Sequence, residues 1–280
     1  MALCFIPKGG LGNLLFQHHA AWVHAKETGK TIYCPVRHHT DRYWISAYPK
    51  LFKHLSFLNF IPNADYEDGS AHLYTPIPRG ASVIHGFFQS WKYFYKYREE
   101  LRDLMHANED DRWTKTKNKY SLLSGGEDMV CVHVRRGDNI KNGDRFILLP
   151  ESYYSRVLEN FKNKKILIFS DDVDLIKAWD AWKGFRVHFV DEPDALDTLF
   201  LMSMCKVIIG ANSTLSLMAY YMRSRDDTLP IFPKEWFVAG TELREKFDAS
   251  SDFLHPDLVL FPNSPDESVP TQLLLKSPEV

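Results

Sequence analysis

The segment Met129-Val-Cys-Val-His-Val-Arg-Arg-Gly-Asp138 joins an apolar run to a cluster of charge. Residues 129–134 have the composition of a strand buried on both faces, which shows as an unbroken apolar stretch. The run ends in His133, Arg135, Arg136 and Asp138, with only Gly137 between the charges. Two guanidiniums at the end of a buried strand are costly to hold unless an anion receives them. Their planar forks suit a phosphate better than an ammonium would. In an α/β sheet, the carboxyl end of such a strand opens on the crevice where ligands bind.

Outward from that segment the pattern alternates. Residues 165–169, 186–190 and 207–209 have the character of strands, and 151–161, 173–182, 194–205 and 213–222 that of helices. Strands alternating with helices predict a parallel sheet covered on both faces. The first half opens as a strand at 3–6, the loop Gly9-Gly-Leu-Gly12, a helix at 13–28 stopped by Gly29, and a strand at 31–34 ended by Pro35. Residues 40–80 are irregular and aromatic, punctuated by Pro49, Pro62, Pro76 and Pro78; 82–87 suits a strand and 93–107 a helix. The polar stretch 108–128, with Lys115, Lys117, Lys119 and then Gly125-Gly126, places a boundary near Gly126. The expected domains are therefore 1–125 and 126–280.

The chain has 280 residues, 45% hydrophobic and 25% charged, the balance of a soluble globular protein. A net charge of −2 argues against a nucleic-acid binder, so the paired arginines are a local feature. Cys4, Cys34, Cys131 and Cys205 form no CxxC pair and suit buried thiols. There is no apolar run of membrane-spanning length and no signal-peptide pattern, which leads to the expectation of a cytoplasmic protein.

Three strand ends of the second half carry polar groups fit to share one crevice. The first offers His133, Arg135, Arg136 and Asp138. The second offers Ser170, Asp171 and Asp172. The third offers Asn212, Ser213 and Thr214 ahead of a helix whose first N–H groups can receive an anion. Together they supply cations, hydroxyls and helix-end donors for phosphates, and a carboxylate for the N–H edge of a base. That is the chemistry of a nucleotide-diphosphate site. Asp172 and Ser213 are also ordinary helix caps. The glycine loop at 9–12 lacks the GxGxxG spacing and the lysine of a P-loop. It serves as a tight turn, or as a point where backbone approaches a ligand across a domain cleft.

Other constellations compete. Asp172-Val-Asp174 is a DxD string able to hold a metal, or simply the acidic start of a helix. The pairs His18-His19 and His38-His39 cannot converge on one site from neighbouring helix positions, and are expected at the surface or partly buried. Ser213, His133 and Asp172 would make a Ser/His/Asp set, but Ser213 lacks a nucleophile elbow. Arg136-Gly-Asp138 is an adhesion tripeptide only if exposed.

The chain resembles the α-1,2-fucosyltransferases, glycosyltransferase family 11. Gly9-Gly-Leu-Gly-Asn-Leu-Leu-Phe-Gln17 is similar to the family's GGLGNQLFQ. His85-Gly-Phe-Phe-Gln-Ser90 is similar to its G-Y-F-Q-S segment. His133-Val-Arg-Arg-Gly-Asp138 matches HxRRGD, and Phe169-Ser-Asp-Asp172 matches FSDD. Leu201-Met-Ser-Met-Cys205, Asn212-Ser-Thr-Leu-Ser216 and Pro233-Lys-Glu-Trp236 resemble LMSxC, NSTFS and PxxW.

The resemblance implies a GT-B-like α/β fold of two Rossmann-like halves with parallel sheets facing a cleft. The first half would be acceptor-side and the second would bind the nucleotide sugar. It implies an inverting enzyme that moves fucose from GDP-fucose to a glycan acceptor, at the 2-OH of a galactose-like sugar, with no obligatory metal or other cofactor. Arg135 would grip the β-phosphate and His133 help hold the diphosphate. Asp171 or Asp172 would read the guanine. Ser213, Thr214 and Ser216 would lie near the phosphates. Gly10, Gly12, Asn13, Arg136, Ser170 and Asn212 complete the expected donor site. Asp138 and Asp144 are candidate bases. Leu14 replaces the family's glutamine, and Leu215, Leu217 and Met218 replace the aromatics of NSTFSWW, which leaves the acceptor and linkage open. Two rival functions are a metal-dependent transferase using Asp172 and Asp174, and a non-catalytic sugar- or nucleotide-binding module.

Overall fold

Strand β1, Ala2–Ile6, buries four of its five residues and leads through the glycine loop into helix α1, Leu11–Thr28. The computed structural model describes residues 1–35, 45–69, 72–190, 194–250, 252–271 and 273. Helix α1 is buried on nearly every side, as a helix without a polar face must be. Gly29 ends it in the left-handed region at φ 68°, its N–H bonded to Ala25 O. β2, Thr31–Pro35, then runs parallel to β1 with Leu3 opposite Ile32. β3 (Ser56–Leu58), β4 (Tyr66–Glu67) and β5 (Val83–His85) complete a parallel sheet of order β3-β2-β1-β5-β4. The helix expected over 93–107 begins later, as α2, Arg98–Asn108, after two 3-10 turns.

The polar stretch that runs up to Gly126 contains a helix, α3, Asp110–Ser124. Its acidic start favours the helix dipole. Two side chains anchor it: Trp113 meets the Phe200 ring edge-on at 5.2 Å, and Arg112 reaches Asp194 and Asp197 at 3.0 and 3.4 Å. The chain forms two compact units that divide within this helix. One unit comprises Met1–Asp111 with Lys246–His255, the other Arg112–Glu245 with Pro256–Val280.

In the second unit β6 (Met129–Val134) is followed by α4 (Gly137–Lys141), α5 (Glu151–Leu158), β7 (Lys165–Ser170) and α6 (Val173–Lys177). Then come β8 (Arg186–Phe189), α7 (Ala195–Ser203), β9 (Val207–Ile209), α8 (Thr214–Tyr221), β10 (Leu229–Pro233), α9 (Glu242–Asp248) and β11 (Val259–Phe261). The sheet runs β11-β10-β9-β6-β7-β8 with every pair parallel. Counted within the unit this is 3-2-1-4-5-6 from the β8 edge, the doubly wound order. All six residues of β6 are buried. Val130, Val132 and Val134 join a core with Ile166, Ile168, Tyr154 and Trp182. Alternation turns Cys131 and His133 to the other face. All four cysteines are buried free thiols. Among the described residues no helix is long and apolar enough to cross a membrane.

Candidate active site

β6 and β9 are neighbours from which the chain proceeds in opposite directions, so their carboxyl ends flank the switch point of the second sheet. Just past β6, Arg135 places Nη1 2.6 Å from Asp171 Oδ2 and Nη2 2.5 Å from Asp138 Oδ1. Asp171 follows β7, the next strand over. Its Oδ1 accepts the Arg136 N–H at 2.8 Å. A Cβ on Gly137 would fall 2.2 Å from Asp171 Oδ2, so the missing side chain makes room for that carboxylate.

Arg136 faces the valine side of β6, as strand alternation demands. Its guanidinium lies 4.8 Å from the centre of the Trp179 ring, and Nη1 donates to Leu149 O at 3.3 Å. It is therefore a packed group and not an exposed adhesion motif. His133 is buried, and its Nδ1 has no hydrogen-bond partner. Burial, and then the Arg135 guanidinium, lower its pKa to about 3. A neutral imidazole can share a hydrogen bond but brings no charge to a phosphate. With Nδ1 unpaired, Ser213, His133 and Asp172 form no relay.

At the β9 end, Gly210 packs under Phe232, where a Cβ would meet the ring at 2.1 Å. Asn212 Nδ2 donates to Ile147 O at 2.6 Å and Trp236 O at 3.1 Å. Ser216 Oγ donates to Ser213 O at 3.0 Å. Asn212 and Ser216 thus build the turn. Ser213 caps α8 by accepting the Leu215 N–H at 3.3 Å, and it and Thr214 stay partly exposed beside the helix-end donors. At the β7 end, Ser170 Oγ accepts the Asp172 N–H at 3.0 Å, and Asp172 caps α6 by accepting the Leu175 N–H at 3.3 Å. Asp174 is fully exposed, 3.6 Å from Lys177, and Asp144 is exposed beside Arg145.

The structure thus brings Arg135, Asp138 and Asp171 into direct contact at one sheet edge. Gly10, Gly12 and Asn13 belong to the first unit. Gly10 caps α1, Gly12 is buried in its first turn, and Asn13 Oδ1 accepts from Gln89 Nε2 at 2.7 Å. Gln17 fastens the loop, accepting the Lys8 N–H at 2.9 Å and donating to Lys8 O at 2.7 Å. Tight-turn geometry accounts for Gly9 at φ 80°. His18 and His19, expected at or near the surface, are buried because α1 is apolar all round. His38-His39 lies outside the described residues. The Trp179 stack, the Leu149 carbonyl and the role of Gly137 were not legible in the sequence. Of these only Gly137, alone among charges, carried a signal.

Residues 50–249 match the model of glycosyl transferase family 11. The chain belongs to this family. Among its relatives, an alpha-1,2-colitosyltransferase of Escherichia coli is 28% identical over 172 residues, 57% of each chain. The O-antigen biosynthesis glycosyltransferase WbnK of Escherichia coli is 26% identical over 227 residues, 75% of this chain and 74% of that one. The chain therefore spans little more than half of the first relative and three quarters of the second. The crystal structure of the Bradyrhizobium alpha-1,6-fucosyltransferase NodZ, co-crystallized with GDP, superposes with a TM-score of 0.54 at 13% identity, covering 80% of this chain and 93% of that one. That likeness establishes the fold: this family 11 chain has the α/β, two-unit GT-B architecture.

Proposed function

We propose that this family 11 chain transfers fucose from GDP-fucose to a hydroxyl of a glycan acceptor, the 2-OH of a galactose-like sugar, with inversion. The observation that carries the reading is Arg135 at the switch point of the second sheet, at the end of the strand that neighbours β9, from which the chain leads to the partly exposed start of α8. The 1,2 linkage is supported by the name of the colitosyltransferase relative, and the GDP donor by the GDP found with NodZ. Buried free thiols fit a cytoplasmic setting.

In the reaction, the acceptor oxygen bonds to C1 of the sugar as the bond from C1 to the diphosphate oxygen breaks. The electron pair of that bond stays on the leaving GDP. Arg135 and the N–H groups at the start of α8 stabilise the developing charge. A charge-assisted contact of this kind contributes about 1.5–3 kcal/mol, and more if it tightens in the transition state. The acceptor proton passes to a carboxylate, for which Asp138 is the proposed base. Asp171 receives the N–H edge of guanine, and no metal is required.

Calorimetry with GDP, UDP and ADP, each in EDTA, tests the donor. GDP is expected to bind tighter than the other two. Equal binding of the three would remove base recognition from this site. Release of GDP from GDP-fucose only when a glycan acceptor is present separates the transferase from a binding module.

A further inference from the structure

We propose that Arg135 and Asp171 form a latch that couples the two ends of the donor, so that a diphosphate must engage Arg135 before Asp171 is released to the base. This rests on the GDP reading above. The two Nη groups of Arg135 both contact carboxylates, Asp171 at 2.6 Å and Asp138 at 2.5 Å. A bidentate phosphate contact uses two parallel N–H donors of one guanidinium. Two carboxylates and a diphosphate therefore compete for the same face.

The two carboxylates are not held alike. Asp138 is 60% exposed at the start of α4 and can turn to solvent. Asp171 is 25% exposed, its Oδ1 is fixed by the Arg136 N–H, and its Oδ2 fits against Gly137. When phosphate draws Arg135 away, Asp171 stays where it is and its Oδ2 becomes an open acceptor. A guanine presents paired N–H donors that such a carboxylate can receive. While Arg135 remains on Asp171, the base must share Oδ2 with a charged donor and binds more weakly. Phosphate and base recognition are then linked, and linkage is reciprocal. Neither half of the donor binds well alone, which favours intact nucleoside diphosphates over free nucleosides or free phosphates.

The test uses the intact wild-type chain with guanosine and inorganic pyrophosphate, followed by ligand-observed NMR without divalent ions. Saturating pyrophosphate is expected to tighten guanosine binding about tenfold, within the usual range of coupling between sites. In Asp171→Ala, with the competing carboxylate gone, pyrophosphate is expected to bind at least as tightly as in the wild type, and the preference for guanosine over uridine is lost. The latch is overturned if guanosine is preferred over uridine but its affinity is unchanged, or weakened, by pyrophosphate. It is overturned as well if the coupling survives in Asp171→Ala. If guanosine and uridine bind equally under both conditions, the guanine reading itself fails, and the latch with it.

Discussion

The Arg136 guanidinium stacks 4.8 Å from the centre of the Trp179 ring, on the opposite face of the strand end from Arg135. Neighbours in the chain thus have separate tasks, and substitution should separate them. Arg135→Lys keeps the charge but loses the planar fork. Turnover is expected to fall more than a hundredfold, about 3 kcal/mol in the transition state, with the melting temperature unchanged. Arg136→Lys loses the stack and should cost about 1–2 kcal/mol of stability with GDP affinity nearly kept. Thermal melts and GDP titrations of both variants check this. A folded Arg135→Lys enzyme with near-normal turnover would take Arg135 out of the mechanism.

Gly137 is an independent probe of the same contact. The methyl of Gly137→Ala would overlap Asp171 Oδ2 and push that side chain off Arg135 and the Arg136 N–H. At the half-buried first position of α4 the displaced group is a carboxylate that can turn toward solvent, so the cost in stability is small. We expect GDP affinity to fall roughly tenfold, on the scale of one lost charge-assisted bond. Unaltered GDP binding in a correctly folded variant would mean that the seat of Asp171 does not matter.

At the β9 end the same substitution has the opposite consequence. A methyl on Gly210 meets the buried Phe232 ring at 2.1 Å, where nothing flexible can yield. Gly210→Ala should destabilise the second unit by about 1–3 kcal/mol through overpacking. An unchanged urea midpoint would contradict the packing described.

The strands β6, β7 and β9 were legible because each is an unbroken apolar run, and their polar residues were legible as strand ends on the same side of one sheet. The sheet order was not, since adjacency between β6 and β9 depends on contacts far apart in sequence. β10 was missed because Pro230 and Pro233 argue against a central strand. Its bonds to β9 fall instead at Leu229 N–H and Ile231 O, and pairing with β11 begins only at Ile231, so Pro230 needs no donor. Helix α3 was not legible because the partners of Trp113 and Arg112 lie more than eighty residues away along the chain. The role of Asp171 was half legible. A carboxylate at that strand end was evident, but its grip on Arg135 required the register of β6 and β7.

The DxD string offers a sharp test of metal use. Asp172 is committed to capping α6, and among the described residues Asp174 is fully exposed and pairs with Lys177. Asp174→Ala should leave turnover unchanged within about twofold, as for an exposed surface position. Transfer should also persist in EDTA. Loss of activity in EDTA with recovery in Mn²⁺ or Mg²⁺, together with a severe Asp174→Ala defect, would install the metal-dependent reading in its place.

Acid should weaken the first unit as the pH falls below about 6.5. Asn108 Nδ2 donates to Leu51 O, so it must also be the donor toward His54 Nδ1 at 3.0 Å. His54 Nε2–H then donates to His18 Nε2 at 2.8 Å, and His18 Nδ1–H to His19 Nδ1 at 3.1 Å. The chain works only with all three rings neutral. Burial lowers the His18 pKa well below its ordinary value and that of His19 to about 3, with the neighbouring imidazoles adding to both. Burial and Lys53 lower His54 as well. These folded values lie below the unfolded value near 6.5, so the unfolded chain binds more protons as pH falls. The stabilisation is complete above about pH 6.5 and is lost on going down toward the folded values, at up to about 1.4 kcal/mol per pH unit for each of the two buried rings, His18 and His19. Urea unfolding between pH 7.5 and 5 is expected to show a falling midpoint, and His19→Phe a shallower fall. A midpoint flat across that interval would show that these rings do not enter the fold as a neutral chain.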